Sequence, residues 1–355
     1  MIATDLDPAL GRLYADFEAA DLRALWTQRD DLMPFSPRPR ALPHSWRWEL
    51  LRELATRAGE LVPVGRGGER RAIALANPGL GGEPYVTPTL WAAIQYLGPG
   101  EVAPAHRHTQ AAFRFVVEGE GVWTVVNDDP VAMRPGDLLL TASWDWHGHH
   151  HAGEHAMVWL DGLDIPLIGQ LDAGFFEFGP ETVDRSTPGR SRSEELWGHP
   201  GLRPAAAADT PNSPLTAYRW EHTDRALHAQ LELDAAGHAG AVEPGHAAIR
   251  FANPTTGRDA LITLRTEMHR LRAGVATPTR RAVGSSVWQV FRGDGVAELG
   301  DERIELAAGD LIAVPSWCPL RLRARTDLDL FTFGDAPVYE ALGLYRTETV
   351  AEAGS

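Results

Sequence analysis

The sequence predicts a mainly β protein in which two antiparallel β-barrels follow a helical arm along the chain. Beyond Glu69, short runs rich in β-branched and aromatic residues, such as 112–117 and 122–127, alternate with Gly, Pro and Asp turns about every ten residues. Several landmarks of this β-rich half recur in the second half of the chain. In residues 1–68, by contrast, apolar residues recur at helical spacing.

The predicted arm comprises residues 1–68. Apolar side chains recur at helix spacing from Leu10 to Phe17, and a second such run starts at Trp46, with four prolines in residues 34–43 between the two. Two short amphipathic helices have to bury their apolar stripes against another surface. That surface belongs either to the same chain or to another copy of it, and both interpretations stay open.

The two barrels are predicted from an internal repeat with an offset of 173 to 176 residues. The repeated landmarks are Ala76-Asn77-Pro78 and Ala252-Asn253-Pro254, Gly119-Glu120-Gly121 and Gly293-Asp294-Gly295, and Gly136-Asp137-Leu138 and Gly309-Asp310-Leu311. The repeat places one barrel in residues 69–179 and the other in residues 246–355. Between them, residues 180–245 are rich in Ser, Pro and Ala and are predicted to be a linker with connecting segments.

Three histidines of the first barrel predict a metal site. His106 and His108 are two residues apart on a predicted strand, so their side chains point to the same face. His147 follows on a neighbouring antiparallel strand and can complete a set of three imidazoles with coordination positions left open for substrate or water. Imidazole suits iron, zinc and copper alike, so the ligands by themselves do not fix the metal.

The second barrel is predicted to lack this site. When the two halves are aligned on the repeated glycines, Arg280, Ala282 and Leu320 stand where the three histidines stand in the first barrel. None of these side chains is a metal ligand. The second barrel is therefore predicted to serve packing or subunit contacts.

Strand alternation also predicts which other side chains face the metal. Arg114 lies on the metal-facing side if the alternation continues from the two nearby histidines. A buried guanidinium is costly unless paired, so Arg114 either forms a salt bridge with a core acid or receives a substrate carboxylate. Trp91, Ala93 and Gln95 share one face of the preceding strand and are candidates to line the cavity, although aromatic core packing explains Trp91 equally well.

The histidines after the third ligand divide into two groups. His149 follows His147 by two residues and faces the same way if the strand continues, so it is a candidate acid or base near the metal. We expect His150, His151 and His155 to form a solvated, histidine-rich turn.

Composition and charge exclude several kinds of partner. Lys and Arg number 33 against 48 Asp and Glu, which gives a formal charge of −15 and disfavours nucleic acid and anionic membranes. Cys318 is the only cysteine, so an internal disulfide is excluded and a reducing compartment is favoured. The sequence has neither a signal-peptide pattern nor an apolar run of membrane-spanning length. We expect a cytoplasmic protein.

The frame of glycines and histidines resembles that of the cupin superfamily. Longer stretches resemble one group of bicupins, the gentisate 1,2-dioxygenase family, which includes salicylate and 1-hydroxy-2-naphthoate dioxygenases. These stretches are residues 70–80, His106-Arg107-His108-Thr109, Arg114 to Gly119, Trp159 to Pro166, and Leu342 to Arg346. The similarity extends over nearly the whole chain and implies two barrels of the double-stranded β-helix type.

The resemblance implies a non-haem Fe(II) enzyme that uses O2 to cleave an aromatic ring between the carbon bearing a carboxylate and the adjacent carbon bearing a hydroxyl. It implies gentisate, salicylate or a 5-substituted salicylate as the substrate, and His106, His108 and His147 as the iron ligands. The residues implied to contact or orient the substrate, or to shape its pocket, are Arg114, Gln95, His149, Asp161, an arginine at Arg66 or Arg70, Trp91 and Ala93. We also expect a homo-oligomer, either a dimer or a tetramer.

Two departures from the family pattern bear on the substrate. Gly148 stands where an acidic residue is common, and Trp91 stands where tyrosine is usual among strict gentisate enzymes. The tryptophan favours salicylates that lack the second ring hydroxyl or carry another substituent in its place.

A different class of function stays open, namely a non-catalytic, metal-dependent bicupin that binds or senses an aromatic acid. Manganese-dependent decarboxylation or sugar isomerisation is a weaker hypothesis. Such sites usually add a glutamate four residues after the second histidine, and Ala112 occupies that position.

Overall fold

A computed structural model describes residues 7–62, 71–179 and 190–351. The chain divides into two compact units, residues 1–38 and residues 39–355. None of the helices in the described ranges is long and apolar enough to cross a membrane.

The described residues form seven α-helices, a 3-10 turn at Pro78–Leu80 and twenty-two strands. The helices are α1 (Pro8–Ala19), α2 (Leu25–Leu32), α3 (Trp48–Leu61), α4 (Ile165–Gln170), α5 (Arg192–Trp197), α6 (Trp220–Ala235) and α7 (Ala336–Ala341). The strands up to the middle of the chain are β1 (His44–Trp46), β2 (Ala72–Ala74), β3 (Trp91–Leu97), β4 (Val102–His108), β5 (Ala112–Glu118), β6 (Val122–Val126), β7 (Asp129–Ala132), β8 (Leu138–Thr141), β9 (His147–His151), β10 (Met157–Leu163), β11 (Phe176–Phe178) and β12 (Ala217–Tyr218). The later strands are β13 (His246–Arg250), β14 (Arg265–Leu271), β15 (Arg280–Ala282), β16 (Ser286–Arg292), β17 (Gly295–Leu299), β18 (Glu302–Leu306), β19 (Leu311–Val314), β20 (Leu320–Ala324), β21 (Leu328–Gly334) and β22 (Thr347–Thr349).

The smaller unit contains α1 and α2. Within it, the indole N–H of Trp26 donates to the Tyr14 hydroxyl at 3.0 Å, and the Trp26 ring packs edge-on against Phe17. These aromatic contacts join the two helices.

The larger unit contains four sheets, two in each barrel, and the two tandem antiparallel barrels confirm the predicted fold class. In the first barrel, a six-stranded sheet has the order β12-β8-β5-β10-β3-β2 and a five-stranded sheet has the order β11-β4-β9-β6-β7. In the second barrel, the corresponding orders are β1-β19-β16-β21-β14-β13 and β18-β17-β20-β15-β22.

Parts of the predicted arm and linker belong to the barrels. Strand β1, inside the predicted arm, pairs with β19 of the second barrel, and β12, inside the predicted linker, pairs with β8 of the first. Each added strand satisfies backbone groups that an edge strand would otherwise expose. The smaller compact unit comprises residues 1–38, and the predicted arm boundary at residue 68 lies outside the described residues. The boundaries at residues 179 and 245 stay predictions.

The main core lies between the two six-stranded sheets. Phe113 and Phe115 on β5 contact Phe331 and Phe333 on β21, and the rings of Phe115 and Phe331 stack with their centroids 4.1 Å apart. All four rings are buried. One face of each six-stranded sheet packs in this aromatic core between the barrels. The opposite face of each sheet therefore lines the interior of its own barrel.

The internal repeat extends into both helices that precede the barrels. Helices α3 and α6 begin at equivalent pairs 172 residues apart, Arg47-Trp48 and Arg219-Trp220. In each pair, the guanidinium and the tryptophan backbone N–H donate at 2.6 and 2.9 Å to one aspartate of the opposite barrel, Asp310 for α3 and Asp137 for α6. The helices thus fasten the two barrels together in a reciprocal manner.

The glycine before each of these aspartates explains why the Gly-Asp landmark repeats. Gly136 and Gly309 have φ angles of +85° and +88°, which glycine adopts without strain. A Cβ atom on either glycine would also overlap the indole of the facing tryptophan, Trp220 or Trp48.

A second reciprocal contact between the barrels involves two buried carboxyls. Asp164 of the first barrel accepts a hydrogen bond from the Thr263 hydroxyl of the second at 2.6 Å, and Asp335 of the second accepts one from Thr89 of the first. Each carboxyl also accepts from a backbone N–H of its own barrel. Burial raises the pKa of both carboxyls to about 6.

We expect these two carboxyls to make the stability of the protein depend on pH. Their folded-state pKa lies above the ordinary 3.8, so the folded state binds protons more readily and the free energy of unfolding falls as pH rises from about 4 to 6. Because asparagine resembles the protonated carboxyl, the double variant Asp164→Asn/Asp335→Asn should unfold roughly 5 °C higher than the parent protein at pH 7.5.

Thermal unfolding followed by circular dichroism at pH 4.5, 6 and 7.5 checks this expectation. The advantage of the double variant should vanish at pH 4.5, where the parent carboxyls are protonated. Asp301→Asn, at an exposed carboxylate, serves as the control. If the double variant unfolded above the parent protein by the same number of degrees at all three pH values, the raised pKa of these two carboxyls would be contradicted.

Candidate metal centre

The three predicted ligand histidines converge inside the first barrel. His106 and His108 lie on β4, and His147 lies on β9 opposite His106 in the antiparallel register. Each ring offers one nitrogen, and these three atoms lie within 4.8 Å of one another. All three side chains are buried.

Backbone carbonyls fix the tautomer of all three rings. The contacts join Nδ1 of His106 to the Pro104 oxygen at 2.9 Å, Nδ1 of His108 to the Gln110 oxygen at 2.9 Å, and Nδ1 of His147 to the Asp145 oxygen at 3.0 Å. A ring nitrogen that faces a carbonyl must carry the hydrogen, so Nε2 of each neutral ring carries the lone pair that a metal requires. Ligand histidines are commonly oriented by a partner of this kind.

The surroundings of His147 keep its ring neutral. Burial, reinforced by Arg114 and by the other two histidines, lowers the pKa of His147 well below its ordinary 6.5. Its Nε2 atom is buried and makes no hydrogen bond. An unpaired, buried and neutral imidazole nitrogen fits a divalent cation, and no carboxylate of the described residues joins the three-histidine group. Such a set leaves coordination positions for substrate and dioxygen.

The second barrel keeps the strand register of this site but not its ligands. Arg280 on β15 pairs with Leu320 on β20, as His106 pairs with His147. Leu320 and Cys318 pack against the apolar cluster that fills this barrel. The described part of the second barrel therefore offers no three-residue metal group.

Arg114 on β5 enters the interior of the first barrel and is only 4% exposed. Its Nη1 donates to the Thr141 hydroxyl oxygen at 2.6 Å, and its Nε lies 3.7 Å from Oδ1 of Asp161. The salt bridge considered as one alternative is therefore present. Nε nevertheless makes no hydrogen bond, so the guanidinium retains unused donor capacity. Burial lowers the pKa of Arg114, and the charge of Asp161 opposes that shift.

Asp161 on β10 lies opposite Arg114 on one side and Ala93 on the other. Burial raises the pKa of the Asp161 carboxyl to about 6, although Arg114 and a hydrogen bond from Trp159 act in the opposite direction. That bond runs from the indole N–H to Oδ1 at 3.0 Å. The strand register thus places an acid, a guanidinium and a small side chain in one row.

The three pocket candidates of β3 share this face of the sheet. Ala93 pairs with Asp161, and Gln95 pairs with Trp159. Trp91, two residues before Ala93 on β3, pairs with Leu163. Ala93 and Gln95 are buried, and Trp91 is partly exposed. Their contacts with a substrate stay predictions. Arg66 and Arg70 lie outside the described residues.

The expected solvated turn of histidines is wrong for two of its three members. Strand β9 continues to His151 between β4 and β6, and both His150 and His151 are buried. The His150 ring stacks on Trp123, whereas His155 is exposed. The polarity of the run therefore did not predict exposure, because β9 is a central strand of its sheet and both of its faces are covered at these residues.

His149 is buried on the same strand as His147, and the centroids of the two rings lie 6.4 Å apart. On its other side, the His149 ring lies 5.4 Å from that of Trp159. Sequence reasoning missed Phe176, whose ring stacks on His106 at 5.5 Å. Phe176 lies on β11, which pairs with β4, and the aromatic run at 175–178 was its only signal in the sequence.

Comparisons with known proteins bear on this barrel and on the whole chain. A family model described as a cupin domain matches residues 93–163, which include all three histidines and Arg114. A gentisate 1,2-dioxygenase from Streptomyces sp is 67% identical over 339 residues, covering 95% of each chain. The chain belongs to the gentisate 1,2-dioxygenase family.

Other members of the gentisate 1,2-dioxygenase family, with differently named substrates, are also similar over nearly their full lengths. A salicylate 1,2-dioxygenase from Pseudoaminobacter salicylatoxidans, solved as adducts with gentisate, has a TM-score of 0.96 and 57% identity, covering 99% of this chain and 96% of that one. A 5-aminosalicylate 1,2-dioxygenase from Comamonas sp is 34% identical and covers 99% of this chain and 92% of its own. As a member of this family with a three-histidine site, the protein is a metal-dependent, ring-cleaving dioxygenase.

We expect this family member to bind one metal ion per chain. The first barrel supplies three convergent imidazoles, whereas the second supplies Arg280, Ala282 and Leu320 at the same register. Metal analysis of the protein, after loading with metal and desalting, should give one metal ion per chain. Arg280→Ala should leave that value unchanged. Two equivalents per chain would contradict the assignment.

Proposed function

We propose that the protein is an Fe(II)-dependent dioxygenase that cleaves a 2-hydroxybenzoate between the carboxyl-bearing carbon and the hydroxyl-bearing carbon. One observation carries the proposal: a three-histidine group without a carboxylate and a buried guanidinium with an unused donor lie in the same barrel, close enough for Arg114 to lower the pKa of His147. Ligands without charge leave the full charge of a divalent ion in place. The positive charges of the bound ion and of Arg114 together favour an anionic substrate.

The histidines would hold iron, and the remaining residues would position the substrate. When bound, iron(II) supplies positions for the substrate oxygens and dioxygen and the electrons that activate dioxygen. Arg114 would bind the carboxylate, for which its planar fork is suited, while Asp161 limits the cost of burying that cation. Fixing the carboxylate in this way determines which ring bond lies next to the metal.

The β3 residues would form the walls around the ring. Trp91 offers an aromatic face, Gln95 offers an amide, and the small side chain of Ala93 leaves room beside Asp161. We infer that the space between Trp91 and Ala93 determines which substituent the ring can carry at carbon 5, and that Trp91 favours a hydrogen atom or an amino group there over a hydroxyl.

His149 would take the proton from the ring hydroxyl as the phenolate forms. Its ring is buried within the same barrel and close to His147, which suits a base that acts next to the metal. The proton would remain on the imidazole until the ring-opened product leaves.

Oxygen uptake by the iron-loaded protein tests the proposal. Gentisate, salicylate, 5-aminosalicylate and 1-hydroxy-2-naphthoate are the candidates, and benzoate and 3-hydroxybenzoate, which lack the ortho hydroxyl, are the controls. We expect at least one candidate to consume one O2 per molecule and to give the absorbance of an unsaturated oxo-dicarboxylic acid. Metal-dependent binding of every candidate without oxygen uptake would favour the non-catalytic sensor instead. Assembly as a dimer or tetramer and a cytoplasmic location stay predictions.

A further inference from the structure

Two buried side chains donate to or accept from the Arg114–Asp161 pair. They are Thr141 on β8 and Trp159 on β10, both fully buried. The inference about them rests on the proposed function, since it assigns them a part in binding the substrate carboxylate.

Thr141 fixes one arm of the guanidinium. Its hydroxyl oxygen accepts the 2.6 Å hydrogen bond from Nη1 of Arg114. This is a charge-assisted contact between two buried side chains, and such contacts are shorter and stronger than those between neutral groups. Without it, the guanidinium could rotate about its terminal bonds toward Asp161.

Trp159 fixes the acid. Its indole N–H donates to Oδ1 of Asp161, the same oxygen that lies 3.7 Å from Nε of Arg114. With this oxygen partly satisfied by the indole, the carboxylate is restrained from closing fully on the guanidinium, and Nε stays without a hydrogen bond. The opposite side of the Trp159 ring packs against His149.

The second barrel provides a control within the same chain. By strand register, the positions of Thr141, Arg114, Asp161 and Trp159 correspond to Val314, Trp288, Thr332 and Leu330. The three polar contacts that join these four residues are therefore absent from a barrel of the same topology that lacks the three histidines. The fold does not require this network, and the barrel that has it is the barrel with the metal ligands.

We propose that Thr141 and Trp159 are positioning residues that hold the guanidinium of Arg114 open for the substrate carboxylate. Thr141 anchors Nη1, and Trp159 restrains Asp161 so that the ion pair does not collapse into a closed, fully hydrogen-bonded salt bridge. The consequence is a preorganised carboxylate site whose donors are already oriented before the substrate enters.

Steady-state kinetics of the iron-loaded protein with its best substrate tests the proposal. Thr141→Val removes the hydroxyl with little change in shape, and Thr141→Ser keeps it. We expect KM to rise about ten- to hundred-fold in Thr141→Val, with a much smaller change in kcat, and to return close to the parent value in Thr141→Ser. Trp159→Phe, which loses the N–H but keeps an aromatic ring beside His149, should raise KM about ten-fold.

Iron content and the thermal midpoint are measured on every variant, because a merely structural role would change these values rather than KM alone. If Thr141→Val does not fold, Thr141→Ala against Thr141→Ser gives the same comparison. Equal KM values for the variants with and without the hydroxyl, in a parent protein that turns over substrate, would overturn this inference. Failure of the parent protein to consume oxygen with any candidate would instead overturn the proposed function.

Discussion

Replacing His108 with alanine is expected to abolish metal binding and, with it, oxygen uptake. His108 supplies one of only three imidazoles in the described site, and the remaining two would leave a divalent ion held by a pair of neutral ligands. Because the metal supplies the chemistry, activity should fall by more than about a thousand-fold.

Metal analysis and an oxygen electrode measure the two effects on the same preparation. His155→Ala is the matched control, since His155 is an exposed histidine of the same barrel. It should retain one metal per chain and full activity. If His108→Ala kept both its iron and its oxygen uptake, the metal site would have to lie elsewhere.

The second large effect is expected at Arg114. Arg114→Met removes the cation that we propose for the substrate carboxylate, and Asp161 is left buried without an ion-pair partner. Truncating one partner of a buried, hydrogen-bonded charge pair costs about 2–5 kcal/mol of binding free energy, so kcat/KM should fall roughly 30- to 5,000-fold. Metal content should stay at the parent value, because Arg114 is not among the three ligand histidines.

Kinetics and metal analysis together separate a binding role from a general loss of structure. Arg303→Met, at an arginine whose side chain is 58% exposed, controls for removal of a charge. Arg114→Lys keeps the charge but not the planar fork, and we expect it to recover only part of the activity. Unchanged kinetics in Arg114→Met would mean that the carboxylate binds to another group.

Much of the candidate site could be predicted because the side chains of a strand repeat every two residues. This rule alone placed His106, His108 and Arg114 on one face, and it placed His149 beside His147. The rule depends only on local backbone geometry, so it needs no knowledge of which strands pair. The expectation that His150 and His151 form a solvated turn was wrong because strand β9 continues through both residues between β4 and β6, and this pairing cannot be read from the run itself.

Other parts of the site depend on pairing between distant segments. Asp161 entered the prediction through the family resemblance, since the register of β10 against β5 cannot be read from either strand alone. The contacts of Thr141 and Trp159 depend on the same register and were not predicted. Phe176 was missed because it reaches His106 only when β11 pairs with β4.

The same distinction holds for the fold. The repeat of Gly-Asp landmarks predicted two barrels, but not that Asp137 and Asp310 each receive a helix from the opposite half of the chain. Arg47-Trp48 and Arg219-Trp220 are visible as a repeat in the sequence. That Asp310 and Asp137 accept their hydrogen bonds is known only from the packing of the two barrels in the tertiary structure.

By itself, the sequence determined the mainly β class, the duplication, the types of ligand and the barrel that carries them. Each of these follows from residue identity and local periodicity, which the chain specifies without reference to its distant parts. The tertiary structure alone decided which acid meets Arg114, which histidines are buried, and which barrel strands pair with β1 and β12. These outcomes depend on the edges and faces that become neighbours when remote strands pair, and no local pattern specifies that pairing.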